Sequence, residues 1–171
     1  PASLFLSNAE QHLSDGIVVS EITQPNRPAR MIFDLDGSPA NFAELECETR
    51  PSSAEEFREY FCSLLITFFS DILHVPLKRS EITCDPRSDM SEKWSYHVIL
   101  QRWVGCWVED MPHVIYHLLL LDKRGWMQNN ILDPSLYGRW KVLGCVYSTK
   151  WKYLQKYIQG ESDTYSRFLP D

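Results

Sequence analysis

The chain has 171 residues, 44% of them apolar, which is enough for one domain with a real core. Its formal net charge of −6 speaks against a dedicated nucleic-acid-binding module, which is usually basic, and leaves room only for local basic strips. Five scattered cysteines (Cys47, Cys62, Cys84, Cys106 and Cys145) form no C-x-x-C pair; they speak against a zinc ribbon or a disulfide framework and point to a reducing, intracellular setting.

In chain order, "DGIVVSEIT" (15–23) alternates in part and reads as a strand. "PNRPAR" (25–30) reads as a Pro-broken loop. "MIFDL" (31–35) reads as a buried strand that stops at the Gly37-Ser38-Pro39 turn. Residues 52–75 form the clearest helix: Ser53 and Glu56 have capping-box spacing, and Phe57, Phe61, Leu64, Leu65, Phe68, Phe69 and Ile72 follow the 3.6-residue period. "SEITC" (80–84) is a short strand, "PRSDMSEK" (86–93) a polar loop and "WSYHVILQRWV" (94–104) a strand. "MPHVIYHLLLLDKRG" (111–125) is a helix with Pro112 in its first turn. "KVLGCVY" (141–147) reads as a strand and 148–160 as a last helix. No stretch approaches a membrane span; the run "HLLLL" is far too short. The mixture lacks regular βαβ alternation, so the expected class is α+β, with a mixed sheet flanked by helices. Pro1 stands where a methionine would open a complete chain, so the expectation is one domain over residues 1–171 excised from a longer protein.

Chemistry concentrates in "RMIFDLDGSP" (30–39). Residues i and i+2 of a strand share a face, so Asp34 and Asp36 project together while Phe33 and Leu35 face the core. Paired carboxylates repel unless one is protonated or a cation sits between them; oxygen-only ligation suits Mg²⁺ or Mn²⁺. The plain alternative is a strand-end turn, since Asp-Gly is a common turn signal. In "SEKWSYHVIL" (91–100), Lys93, Ser95 and His97 share one strand face, while Trp94, Tyr96 and Val98 share the other. An ammonium, a hydroxyl and an imidazole in one row are donors suited to phosphate oxygens. Each alone is more economically read as a solvated or satisfied side chain.

Two families resemble parts of this pattern. "FDLDGSP" resembles the signature of haloacid-dehalogenase-like phosphatases, in which Asp34 would be the nucleophile and Asp36 a general acid/base. That family also implies a parallel doubly wound sheet and a late acidic pair, and Glu109-Asp110 precedes a helix instead of following a strand. The ordered set "IFDLD" (32–36), "SYH" (95–97) and "ILD" (131–133) resembles the archaeo-eukaryotic primase superfamily, over roughly residues 30–145. Lys93, two before the serine, and "ILDPSLYGRWK" (131–141) resemble its eukaryotic and viral primase-polymerase branch.

This second resemblance implies a catalytic core with an RRM-like element that transfers nucleotides from (d)NTPs to a primer 3′-hydroxyl. Asp34, Asp36 and Asp133 would hold two Mg²⁺ or Mn²⁺ ions. Lys93, Ser95 and His97 would hold the triphosphate, assisted by Arg139 or Lys141. The branch usually carries two arginines after the tyrosine, so which of Arg139 and Lys141 serves is open. Arg27, Trp140 and Lys150 are weaker nucleic-acid contacts on a DNA template-primer. The family's zinc module has no counterpart in this chain, which favours primer extension, including damage-tolerant replication, over priming from scratch. The core is expected to be monomeric and to need no membrane, in a nuclear, mitochondrial or viral setting. The alternatives are the phosphatase and a catalytically inactive relative that keeps the fold as a binding module. His113 and His117 have metal-ligand spacing on the 111–125 helix, but their apolar neighbours favour packing.

Overall fold

The computed structural model describes residues 20–22, 28–45, 49–86, 90–106, 108–137 and 142–144. The chain divides into two compact units, Gln24–Arg139 and Pro1–Thr23 with Trp140–Asp171. In the second unit, strand β1 (Ser20–Ile22) pairs antiparallel with β5 (Val142–Gly144), Ser20 opposite Gly144. These are the described parts of the strands expected at 15–23 and 141–147; the helix expected at 148–160 lies outside the described residues.

The larger unit is mixed α+β and is built on a three-stranded antiparallel sheet. Strand β4 (Trp94–Cys106) is central, with β2 (Pro28–Gly37) on one side and β3 (Ile82–Pro86) on the other. β2 begins three residues before the expected strand, so Pro28, Ala29 and Arg30 are strand residues and not loop. A proline lacks a ladder donor and is tolerated as the first residue of a strand. The register shifts between Arg30 and Ile32, where β4 is longer.

Alternation sorts the two faces. Phe33, Leu35, Val98 and Leu100 have no exposure, and Tyr96 and Trp94 are buried with them. Helix α2 (Ala54–Thr67) covers this face with Phe57, Phe61, Leu64 and Leu65; the Phe61 ring meets Phe33 edge-on at 5.5 Å. The helix starts at Ser53, whose Oγ accepts from the Glu56 N–H at 3.1 Å. Glu56 reaches back to Ser52 N–H at 2.8 Å, so the reciprocal half of the box closes one residue earlier than the spacing suggests. Instead of running to residue 75, the α-helix ends at Thr67 and widens into a π-turn, Phe68–Ile72, that keeps Phe68 and Phe69 buried.

A short helix, α1 (Pro39–Ala43), stands where only a turn was expected. Its sequence logic is plain: Ser38 Oγ caps the Asn41 N–H at 3.1 Å, and Pro39 occupies the first turn. It places Phe42 over Gly37, where an added Cβ would meet the Phe42 ring at 2.9 Å. Helix α3 (Met111–Leu121) buries Met111, Val114, Ile115 and Leu118. Among the described residues no helix is long and apolar enough to cross a membrane.

The loop after α3 is fastened at its start. Asp122 is 8% exposed and accepts from the Tyr60 hydroxyl at 2.8 Å and from the Met127 N–H at 2.7 Å. Buried Trp126 donates to the Thr49 carbonyl at 2.6 Å and stacks edge-on with Tyr60 at 4.8 Å. Asn129 and Asn130 then take left-handed backbone angles (φ 53° and 62°), which asparagine tolerates better than most residues. This turn sends residues 131–133 back alongside β2.

Candidate functional site

Residues 131–133 extend the sheet on the free edge of β2. Leu132 bridges Leu35 in antiparallel sense, the Asp36 N–H donates to the Ile131 carbonyl at 2.8 Å, and the Asp133 N–H donates to the Asp34 carbonyl at 3.0 Å. The 3₁₀ turn Pro134–Tyr137 follows. Its Tyr137 is buried, and the hydroxyl donates to the Ile32 carbonyl at 2.8 Å, pinning the segment to the strand it flanks. Burial, with the Asp34 and Asp133 carboxylates close by, pushes the Tyr137 phenol well above its ordinary pKa, so it stays a neutral donor. Both aspartates therefore lie near one buried hydroxyl.

On the opposite side, β4 presents its polar row to β2. Asp34 stands in register with His97, and Asp36 with Ser95. Directly paired residues point to the same face, so these four share one surface of the sheet. The Asp36 carboxylate is held from two directions: Ser95 Oγ donates to Oδ1 at 2.6 Å, and Lys93 Nζ approaches Oδ2 at 2.7 Å. Ser95 is only 6% exposed, so its hydroxyl is a fixed donor, whereas half-exposed Lys93 is a movable charge. His97 Nε2 lies 3.7 Å from Asp34 Oδ1, within ion-pair range for a protonated imidazole and beyond a hydrogen bond. The Asp133 carboxylate takes Ser135 in a local turn, accepting from its N–H at 2.7 Å and its hydroxyl at 2.9 Å.

The surface is thus a strip of carboxylates (Asp34, Asp36, Asp133) beside a strip of donors (Lys93, Ser95, His97). Its carboxylate oxygens are the hard donors that Mg²⁺ and Mn²⁺ prefer, so the donor chemistry fits such an ion. Among the described residues no three His, Cys, Asp or Glu side chains are gathered closely enough to hold a metal ion. The Asp36 carboxylate is engaged by Lys93 and Ser95, and the Asp133 carboxylate by Ser135.

Five residues singled out from the sequence, Arg27, Arg139, Trp140, Lys141 and Lys150, lie outside the described residues. His113 is exposed, and the half-buried His117 packs its ring 6.1 Å from Phe68, in keeping with a packing role. Two neighbours escaped sequence reasoning. Asp85 on β3 is in register with His97 and so extends the polar row to a third strand. The signal was the alternation of Thr83 and Asp85 with apolar Ile82 and Cys84. Ser135, which orients Asp133, could have been found as the third residue of an Asp-Pro-Ser turn.

The chain matches no protein-family model and no curated protein.

Proposed function

We propose that this chain is the catalytic core of a template-directed DNA primase-polymerase, with the primase-superfamily fold and its RRM-like element, transferring nucleotides from (d)NTPs to a primer 3′-hydroxyl. The observation that carries the reading is the in-register pairing of Asp34 with His97 and Asp36 with Ser95, with residues 131–133 zipped to the other edge of the same strand. Three motifs separated by about a hundred residues converge on one sheet surface, in the order the resemblance implies.

In this proposal Asp34, Asp36 and Asp133 hold divalent cations. When bound, these would lower the pKa of the attacking hydroxyl and offset charge on the departing pyrophosphate. Ser95, fixed by burial, orients Asp36 and offers its hydroxyl to a phosphate oxygen. Lys93 pairs with Asp36 and exchanges that carboxylate for the triphosphate, so its charge is never left alone. His97 reaches the same substrate from between Asp34 and Asp85. Tyr137 holds the Asp133 segment against β2 and stays out of proton transfer, since its proton is tightly kept. The expected use is primer extension, including damage-tolerant synthesis.

A second reading is a catalytically inactive relative that uses the fold for binding. Engagement of both Asp36 oxygens by side chains of this chain, Lys93 and Ser95, favours it. A phosphatase using Asp34 as nucleophile finds less support, because that family implies a parallel sheet and the three strands here are antiparallel.

The test is extension of a labelled primer on a DNA template with Mg²⁺ or Mn²⁺ and dNTPs, run beside a template-free phosphatase assay. Metal-dependent, template-directed extension is expected. Phosphate release without template would favour the phosphatase, and template or nucleotide binding without incorporation would favour the inactive relative.

A further inference from the structure

Two thiols meet across the core on the far side of the sheet from the carboxylate strip. Cys62 lies on α2 and is 1% exposed; Cys84 lies on β3 and is half-buried. Their sulfur atoms stand 3.5 Å apart, 22 residues apart in sequence. Around them lies a charged cluster: Arg79 grips the Glu59 carboxylate with Nε at 3.0 Å and Nη2 at 2.8 Å, and Arg58 Nε joins it at 2.9 Å.

We propose that Cys62 and Cys84 form a peroxide-sensitive pair that closes to a reversible disulfide in the folded protein. Contact and unequal access carry this, and the acidities agree with them. The sulfurs are already in contact and need approach by only about 1.5 Å to reach bonding distance. The two are unequal in access: an oxidant reaches Cys84 first, and buried Cys62 waits behind it. They are also unequal in acidity. The contact with the Cys62 sulfur, with help from the nearby Arg79 and Arg58 cations, lowers Cys84 from the ordinary thiol range, against burial and the Glu59 charge. Cys62 is raised for the complementary reason and keeps its proton.

The chemistry balances with hydrogen peroxide as the oxidant. The Cys84 thiolate attacks one peroxide oxygen, the O–O bond breaks, and the leaving hydroxide takes the proton Cys84 had released, giving Cys84 sulfenic acid and water. The Cys62 sulfur then attacks the Cys84 sulfur. The S–O bond breaks, and the departing hydroxyl leaves as water with the Cys62 proton. Two thiols are oxidised by two electrons, and one peroxide is reduced to two waters. The bond fastens edge strand β3 to α2, one residue from Asp85 on the opposite face. The pair stands independently of the nucleotidyl-transfer reading.

The experiment treats the folded 171-residue chain with a few equivalents of hydrogen peroxide, blocks remaining thiols with an alkylating agent, and maps peptides without reduction. A Cys62–Cys84 linked peptide that dithiothreitol removes is expected. With it should come a rise in Tm of about 5 °C and slower amide exchange along β3. In Cys62→Ser the reaction should stop at the Cys84 sulfenic acid, trapped by a 1,3-diketone probe. The wild-type map needs no variant, so a poorly folded Cys62→Ser does not weaken the test. The proposal is overturned if the folded wild type shows no Cys62–Cys84 link at excess peroxide. A link that appears only in denaturant overturns it equally.

Discussion

Replacing Asp122 by alanine should be among the most damaging polar substitutions in this chain, and its cost can be worked from its contacts. The carboxylate is 8% exposed and bridges α2 to the loop, accepting from the Tyr60 hydroxyl at 2.8 Å and the Met127 N–H at 2.7 Å. Hydrogen bonds to a charged group contribute about 1.5–3 kcal/mol each, and a buried N–H left without a partner costs about 1–3 kcal/mol. These contributions overlap, because the lost bond and the stranded donor describe one event at Met127. A net loss of about 3 kcal/mol is the result, or a fall in Tm of about 6–12 °C for a chain of this size. Urea unfolding followed by tryptophan fluorescence reads it well, since Trp126 packs 4.8 Å from Tyr60. Tyr60→Phe removes one half of the bridge and should cost less; the double variant should cost less than the sum of the two singles. The Tyr60 hydroxyl, pushed up to about 12 by burial and the Asp122 hydrogen bond, stabilises the fold fully below its ordinary value of 10.0; that share fades as pH rises from there through about 12. A loss below about 0.5 kcal/mol in Asp122→Ala, with the same slope against urea, would mean water replaces the carboxylate and would refute the reasoning.

Gly37→Ala should destabilise by about 1–3 kcal/mol, because the new methyl meets the Phe42 ring at 2.9 Å; circular-dichroism melts check it. Glu59, gripped by Arg79 and Arg58, is held down to about 2, so its contribution is present above its ordinary value of 4.5 and lost as pH falls from there toward 2. The carboxylate is nearly half exposed, so screening leaves about 1 kcal/mol, and the urea midpoints of wild type and Glu59→Gln should converge on acidification. Lys93→Gln should leave Tm within a degree or two, since the Asp36 pair is exposed, yet raise the KM for dNTP by roughly tenfold in a primer-extension assay.

How much of this was legible in the sequence depended on the range of the forces involved. The sheet faces were readable because alternation is local: Phe33 and Leu35 had to turn from Asp34 and Asp36 in any strand. The joining of β2 to β4 was implied only by resemblance, and the edge contact with residues 131–133 depends on the Asn129-Asn130 turn and the Asp122 anchor, neither of which leaves a periodic trace. The phosphatase-like ending of "FDLDGS" also has a structural account. Gly37 makes room for Phe42, and Ser38 caps α1, so both have structural reasons to be present. The loop expected at 25–30 became strand from Pro28 on, because pairing with residues 104–106 outweighs the local breaking tendency of a proline placed at the strand's start.

The most direct test of the central claim compares Asp34→Asn with Asp133→Asn. The two come from segments about a hundred residues apart, and the claim is that they serve one catalytic centre. Both variants should retain the wild-type Tm within a few degrees and lose metal-dependent primer extension by more than about a hundredfold, a barrier rise of about 2.7 kcal/mol. An Asp133→Asn protein that extends primers at the wild-type rate while Asp34→Asn is inactive would contradict the account.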